Sequence, residues 1–111
     1  MYKLIDTHSH LDLPEFEEDI ESVIKNLKNN NIEYVVVPSV DRTSFKSVLN
    51  LCEKYEMLYA ALGLHPEEVL KVTGEDYEKI KELASNKKVV AIGECGLDYY
   101  WDKTYIEKQK E

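Results

Sequence analysis

The chain has 111 residues, of which 43% are hydrophobic and 32% are charged, so it is long enough for one domain with a modest core. Its 14 Lys and Arg residues against 22 Asp and Glu residues give a formal net charge of −8. Such an acidic surface excludes broad binding of duplex nucleic acid, because phosphate contacts depend on Lys and Arg.

Nothing in the sequence points to a membrane. No apolar run approaches the ~20 residues of a membrane-spanning helix, and the residues after Met1 lack the apolar core and cleavage site of a signal peptide. Cys52 and Cys95 have the spacing of neither a disulfide framework nor a zinc knuckle. We therefore expect a cytoplasmic protein with reduced thiols and no membrane partner.

Apolar runs typical of strands alternate with segments of helical periodicity. The predicted strands are residues 3–6, 34–38, 57–62 and 89–92. The predicted helices are residues 15–29, 43–55 and 73–83, and a fourth helix is predicted to begin near Thr104.

Start signals are present at two of these helices. Thr43 or Ser44 is predicted to cap the second helix. Residues 73–76 resemble a capping box that opens the third helix. Its inward face is predicted to carry Tyr77, Ile80 and Leu83.

Apolar strands that alternate with helices are typical of a parallel sheet covered by helices. An open doubly wound sheet and the first half of a (β/α)8 barrel both fit this pattern. Polar motifs directly follow three of the strands. A barrel gathers active-site residues at the carboxyl ends of its strands, whereas an open sheet binds at one switch point. The placement of the motifs therefore favours an α/β (β/α)8 barrel.

Two imidazoles follow the first strand. His8 and His10 are two residues apart, so on an extended backbone their rings share a face. Neutral imidazole nitrogens bind zinc, manganese and similar divalent ions, although the pair could also be two partly exposed histidines without a ligand. Asp6 is either a partner that orients one imidazole or a buried acid at the end of the strand.

A carboxylate follows the fourth strand. Glu94 is costly to bury after so apolar a run unless it is paired or binds a metal. Gly93 and Gly96 leave room for the close approach of backbone or of a ligand. A bridge between two metals is one interpretation, and a helix cap or surface acid is the other. Asp98 is either an outer partner of the site or a turn residue.

Other candidates carry weaker signals. His65 could donate a hydrogen bond to a substrate oxygen, or it could be structural. Cys95 is predicted to turn away from the site and pack. The aromatic residues 99–101 could stack on a base or cover the edge of the core.

Three motifs together resemble the successive signatures of the TatD family of metal-dependent hydrolases. They are Asp6-Thr7-His8-Ser9-His10, Gly63-Leu64-His65-Pro66 and Gly93-Glu94-Cys95-Gly96-Leu97-Asp98-Tyr99. The resemblance covers residues 1 to about 109. It implies a TIM barrel of the metallo-dependent hydrolase type and a deoxyribonuclease-like enzyme that hydrolyses phosphodiester bonds with metal-activated water.

The resemblance also implies roles for single residues. His8 and His10 would bind one metal, and Glu94 would be a catalytic carboxylate shared between two divalent ions (Mg, Mn or Zn). From the residues themselves, rather than from the resemblance, we expect His65 in the substrate-binding region and Asp6 and Asp98 behind the ligands. DNA or another phosphodiester is the expected substrate.

The family's chain is more than twice as long, and its later strands supply two more histidine ligands and an aspartate. We therefore expect residues 1–111 to be the N-terminal half of the barrel, with its first four strands and about three and a half helices. The alternative is an inactive half-barrel that self-associates or requires the missing C-terminal half.

Overall fold

The computed structural model describes residues 2–100 and 103–111. Four strands alternate with helices: β1 (Leu4–Asp6), α1 (Ile20–Asn29), β2 (Ile32–Pro38), α2 (Arg42–Lys54), β3 (Leu58–Leu62), α3 (Gly74–Leu83), β4 (Val89–Ile92) and α4 (Ile106–Gln109). Two 3-10 turns, Pro14–Phe16 and Pro66–Lys71, precede α1 and α3. No helix within the described ranges has the length and apolar character needed to cross a membrane.

The four strands form one parallel sheet in the order β1-β2-β3-β4. A doubly wound sheet reverses its strand order at a switch point, whereas a (β/α)8 barrel adds each strand beside the previous one. The order of these strands is therefore that of consecutive barrel units. The parallel sheet and the four predicted strands are confirmed.

The hydrophobic core lies between the sheet and the helices. The largest fully buried side chains come from β2, α2 and β3: Phe45, Leu58, Leu62, Val35, Val37, Val48 and Cys52. Each buried aliphatic or aromatic side chain of this size contributes about 1.5–3 kcal/mol. This packing fixes the strands and thereby the positions of their carboxyl ends.

The opposite face of the sheet is open to solvent. Ile5, Tyr34 and Val90 are 59%, 40% and 55% exposed. Together with Val36 and Tyr59 they line a shallow concavity of about 260 Å³. In a closed barrel this face would be the interior, which side chains fill.

The first helix begins later than predicted. The segment from Pro14 to Phe16 forms a 3-10 turn, and α1 starts only at Ile20. The helix ends at Asn29, as predicted. Just after it, Asn31 adopts a left-handed conformation with φ of 63°. Asparagine tolerates this conformation better than most residues, so it ends the helix at low cost.

The second helix is capped by Asp41, and the predicted cap at Thr43 or Ser44 is wrong. The Asp41 carboxylate accepts hydrogen bonds from the Ser44 N–H (2.9 Å) and the Thr43 hydroxyl (2.7 Å). The Ser44 hydroxyl in return accepts from the Asp41 N–H (3.2 Å), which completes a capping box. Burial raises the pKa of Asp41, but these hydrogen bonds outweigh it and the pKa is lowered.

The third helix begins at the predicted signal. The Thr73 N–H donates to the Asp76 carboxylate (2.8 Å), which is one arm of the capping box. Ile80 and Leu83 pack against the core, as predicted. The inward position of Tyr77 is wrong, because this side chain is 43% exposed.

Replacing the Asp41 cap gives a test of this part of the fold. Asp41→Ala should lower the free energy of unfolding by about 1 kcal/mol near neutral pH, measured by urea denaturation. The folded pKa of Asp41 is below its unfolded value, so the ionised carboxylate stabilises the fold above the ordinary aspartate pKa of about 3.9. This contribution is lost as the pH falls through the folded pKa. Asp41→Asn, which keeps a capping oxygen, should retain most of the stability but lose that pH dependence. Equal stability of Asp41→Ala and wild type would contradict the assignment.

The backbone segments that follow β3 and β4 approach each other closely just beyond the carboxyl ends of these strands. A Cβ atom on Gly63 would lie 2.6 Å from the Gly93 carbonyl carbon and 2.8 Å from the Glu94 carbonyl oxygen. Both neighbours are backbone atoms, which cannot rotate away. Glycine at position 63 is therefore required for the register of this corner.

Gly63→Ala should lower the free energy of unfolding by about 1–3 kcal/mol, as overpacking does elsewhere. Gly74→Ala is a matched control, since no atom lies within 4 Å of its added Cβ. The control should be near neutral in urea denaturation. Equal effects of the two variants would show that the close approach at Gly63 is not a constraint.

Candidate metal centre

The predicted ligands lie at the carboxyl-terminal edge of the sheet. His8 and His10 belong to the segment that follows β1, and Glu94 follows β4. The Ser9 N–H donates to the Val36 carbonyl (3.2 Å), which holds the histidine segment against β2. Alternation on this extended segment then places both rings on the same side.

Three donor atoms converge at this edge. The Nε2 atoms of His8 and His10 are 3.2 Å apart. The Glu94 Oε2 atom is 3.5 Å from the first and 3.4 Å from the second. The structure thus brings together the three residues that the sequence predicts as ligands, and they form a group that could hold a metal ion.

The size of this triangle fits a small divalent cation. Zn–N and Zn–O distances of about 2.0–2.1 Å in tetrahedral geometry give ligand atoms about 3.3–3.4 Å apart. The three measured separations span 3.2–3.5 Å. Two imidazole nitrogens and a carboxylate oxygen are also a donor set that zinc and manganese accept.

Without a proton or cation between them, these atoms repel one another. Each presents a lone pair toward the other two, and the carboxylate adds a negative charge. Exposure of the side chains at 54% for His8, 31% for His10 and 27% for Glu94 leaves the group open to entry from solvent. The arrangement is therefore suited to capture a cation.

The backbone of Glu94 is fixed by the neighbouring strands. Its N–H donates to the carbonyl of Ser39 (2.9 Å), and the N–H of Gly93 donates to the carbonyl of Leu62 (3.0 Å). Ser39 is fully buried, and its hydroxyl accepts from the Gly63 N–H (2.8 Å) and donates to the Gly63 carbonyl (3.1 Å). These bonds connect β2, β3 and β4 beneath the carboxylate.

The third histidine also reaches this carboxylate. The His65 Nε2 atom is 3.2 Å from Glu94 Oε1, the oxygen that does not face His8 and His10. Its Nδ1 atom accepts a hydrogen bond from the Glu67 N–H (3.1 Å). The structure therefore places His65 at the edge of the ligand group, while its role toward a substrate stays a prediction.

The two predicted outer acids have local partners. The Asp6 carboxylate accepts from the His8 backbone N–H (3.0 Å), so it orders the histidine segment through the main chain rather than through an imidazole. The Asp98 carboxylate accepts from the Tyr100 N–H (2.9 Å), and the Asp98 backbone pairs with the side chain of Gln109. Their roles toward a metal stay predictions.

The two cysteines differ in exposure. Cys52 is fully buried, and burial raises the pKa of its thiol to about 12. Cys95 is exposed, so its predicted packing role is wrong. In the aromatic segment Tyr99 and Tyr100 are 37% and 80% exposed, and Trp101 lies outside the described residues.

Sequence reasoning missed Asp12. Within the described part of the chain, its Oδ1 atom is buried without a hydrogen-bond partner. Burial raises the pKa of this carboxyl, whereas a backbone hydrogen bond and the proximity of His10 lower it, and the net shift is upward. The spacing of two residues after His10 was the available signal.

Known proteins match nearly the whole chain. The sequence profile of the family described as TatD related DNase matches residues 5–111. A Bacillus subtilis relative described as the uncharacterized metal-dependent hydrolase YabD is 44% identical over 97% of this chain and 42% of its own length. The human protein named deoxyribonuclease TATDN3 is 31% identical over 86% of this chain and 38% of its own length.

A solved structure extends the match to three dimensions. The crystal structure of YjjV, a TatD homolog from Escherichia coli K12, has a TM-score of 0.87 and 38% identity over 96% of this chain and 42% of its own. This likeness confirms the expected partial (β/α)8 barrel. The chain spans about two fifths of the length of these relatives. Since the family profile covers residues 5–111, a range that includes His8, His10 and Glu94, the chain belongs to the TatD related DNase family.

Proposed function

We propose that this chain carries a divalent-metal centre for the hydrolysis of phosphodiester bonds, with His8, His10 and Glu94 as ligands. The observation that carries the proposal is the triangle of donor atoms, whose edges of 3.2, 3.4 and 3.5 Å fit one small cation. A bound divalent cation lowers the pKa of a water and offsets charge on a phosphoryl group. Mg, Mn and Zn are the candidates.

The three proposed ligands differ in charge. His8 and His10 hold a cation through neutral nitrogens, which keeps the positive charge available to an anionic substrate. Glu94 would supply the negatively charged ligand, and its carboxylate would still have lone pairs to share besides the contact between Oε1 and His65. Glu94 is also the proposed catalytic carboxylate.

DNA or another phosphodiester is the proposed substrate. The name of the relative TATDN3, a deoxyribonuclease, supports this choice. The net charge of −8 favours recognition at a local cationic centre over broad contact with a duplex. Strand ends or short single strands therefore suit this surface better than long duplexes.

The extent of the domain and the cellular compartment are also proposals. We propose that residues 1–111 are the N-terminal half of a TatD-like barrel, supported by the 42% coverage of the relatives. The other half would then supply further ligands. We assign the protein to the cytoplasm because both cysteines, Cys52 and Cys95, are free thiols.

The ligand assignment is tested by replacing both histidines. His8→Ala/His10→Ala removes two of the three proposed ligands. The affinity for Mn²⁺ or Zn²⁺, measured by isothermal titration calorimetry, should therefore fall at least ~100-fold. Thr7→Ala/Ser9→Ala is the matched control, because these residues alternate with the ligands on the same segment. The control should bind the metal as wild type does. Unchanged uptake by the histidine variant would refute the assignment.

A second candidate is an inactive half-barrel that self-associates. The exposed apolar face at Ile5, Tyr34 and Val90 favours it, because such a face is a recognised site of association. The free edges of β1 and β4 add unpaired backbone groups. In this reading the chain hydrolyses little or no phosphodiester by itself.

Sedimentation velocity separates the two candidates when combined with a Mn²⁺-dependent phosphodiesterase assay. The second candidate predicts that wild type self-associates as concentration rises. It also predicts that Ile5→Lys/Val90→Lys stays monomeric, because two charges cannot be buried in the contact. Leu70→Lys is the control, since Leu70 is 59% exposed but lies outside the sheet. A stable monomer that hydrolyses phosphodiesters would contradict the second candidate.

A further inference from the structure

His65 is held at both ring nitrogens. Its Nδ1 atom accepts a hydrogen bond from the Glu67 backbone N–H at 3.1 Å. Its Nε2 atom lies 3.2 Å from Glu94 Oε1. The side chain is only 22% exposed. The two contacts involve both of its ring nitrogens.

The contact with Glu67 decides where the proton of His65 resides. A backbone N–H always donates, so the Nδ1 atom that receives it must present a lone pair. A neutral imidazole then carries its single proton on Nε2. A doubly protonated ring would set two N–H groups against each other at Nδ1.

The proton on Nε2 faces a carboxylate oxygen. An N–H donor aimed at an ionised oxygen is a charge-assisted hydrogen bond, which is stronger than a neutral one. A protonated nitrogen has no lone pair for a cation. His65 therefore differs from His8 and His10, whose Nε2 atoms face each other and Glu94 Oε2.

The backbone places this donor before any ligand arrives. The His65 N–H donates to the Val40 carbonyl at 2.7 Å, and Pro66 starts the 3-10 turn directly after it. Proline at that position fixes the backbone that presents the Glu67 N–H. The ring is thus oriented by the loop after β3, independently of the histidine segment after β1.

We propose that His65 is a positioning residue for Glu94, and that it is not a metal ligand. Its Nε2–H holds Oε1 and turns Oε2 toward the two ligand histidines. This inference rests on the proposed metal site and deepens it, because it gives His65 a role distinct from contact with substrate.

Two substitutions separate the donor from the structural role of the ring. In His65→Asn the side-chain oxygen still reaches the Glu67 N–H, but no donor reaches Glu94. In His65→Gln the amide extends to the former Nε2 position and can donate to Oε1. Both variants should have circular dichroism spectra like wild type, and each is titrated with Zn²⁺ or Mn²⁺ alone by calorimetry.

We expect His65→Asn to bind the metal about 10–100-fold more weakly, the usual loss when a partner of a ligand is removed, and His65→Gln to recover at least part of that loss. A metal affinity of His65→Asn within threefold of wild type would overturn the proposal. A metal affinity of His65→Gln as weak as that of His65→Asn would also overturn it. Absence of metal binding by wild type itself would instead defeat the proposed function, so the two failures are distinguishable.

A spectroscopic measurement needs no variant. Long-range ¹H–¹⁵N correlation of the metal-free chain, at a pH where the imidazoles are neutral, reports which ring nitrogen of His65 is protonated. The proposal requires the Nε2–H tautomer. A proton on Nδ1 would overturn it.

Discussion

The candidate site depends on one electrostatic constraint, which is the convergence of three atoms able to bind a metal at the carboxyl ends of the strands. Two imidazole nitrogens and a carboxylate oxygen lie 3.2–3.5 Å from one another. Without a proton or cation between the atoms such a group is unfavourable, because it sets lone pairs and a negative charge together. A divalent cation turns the same geometry into a favourable one, so the arrangement makes physical sense as a binding site.

The scaffold holds these atoms together through the packing of short strands. The buried Ser39 hydroxyl bonds both backbone groups of Gly63, and its carbonyl accepts the N–H of Glu94. Absence of a side chain at Gly63 lets the backbone of Glu94 come close. His65 adds a contact to the side chain of Glu94 from the same loop. The position of the carboxylate thus depends on β2 and β3 as much as on its own strand.

Local patterns in the sequence were sufficient to predict the strands and the convergence of His8, His10 and Glu94. His8 and His10 share a face because an extended backbone alternates, and Glu94 joins them because parallel strands end at one edge. The contact between His65 and Glu94 could not be predicted, because it depends on the orientation of the His65 ring, which the Glu67 N–H and the turn at Pro66 set. The exposure of Cys95 was missed because strand alternation does not continue past Gly93.

The central claim is that one cation binds among His8, His10 and Glu94. Anomalous X-ray diffraction from crystals of the chain grown with Zn²⁺ tests it most directly. We expect an anomalous peak about 2.0–2.2 Å from both Nε2 atoms and from the Glu94 carboxylate. A peak at other residues, with these three side chains separated by solvent, would rule out this metal site.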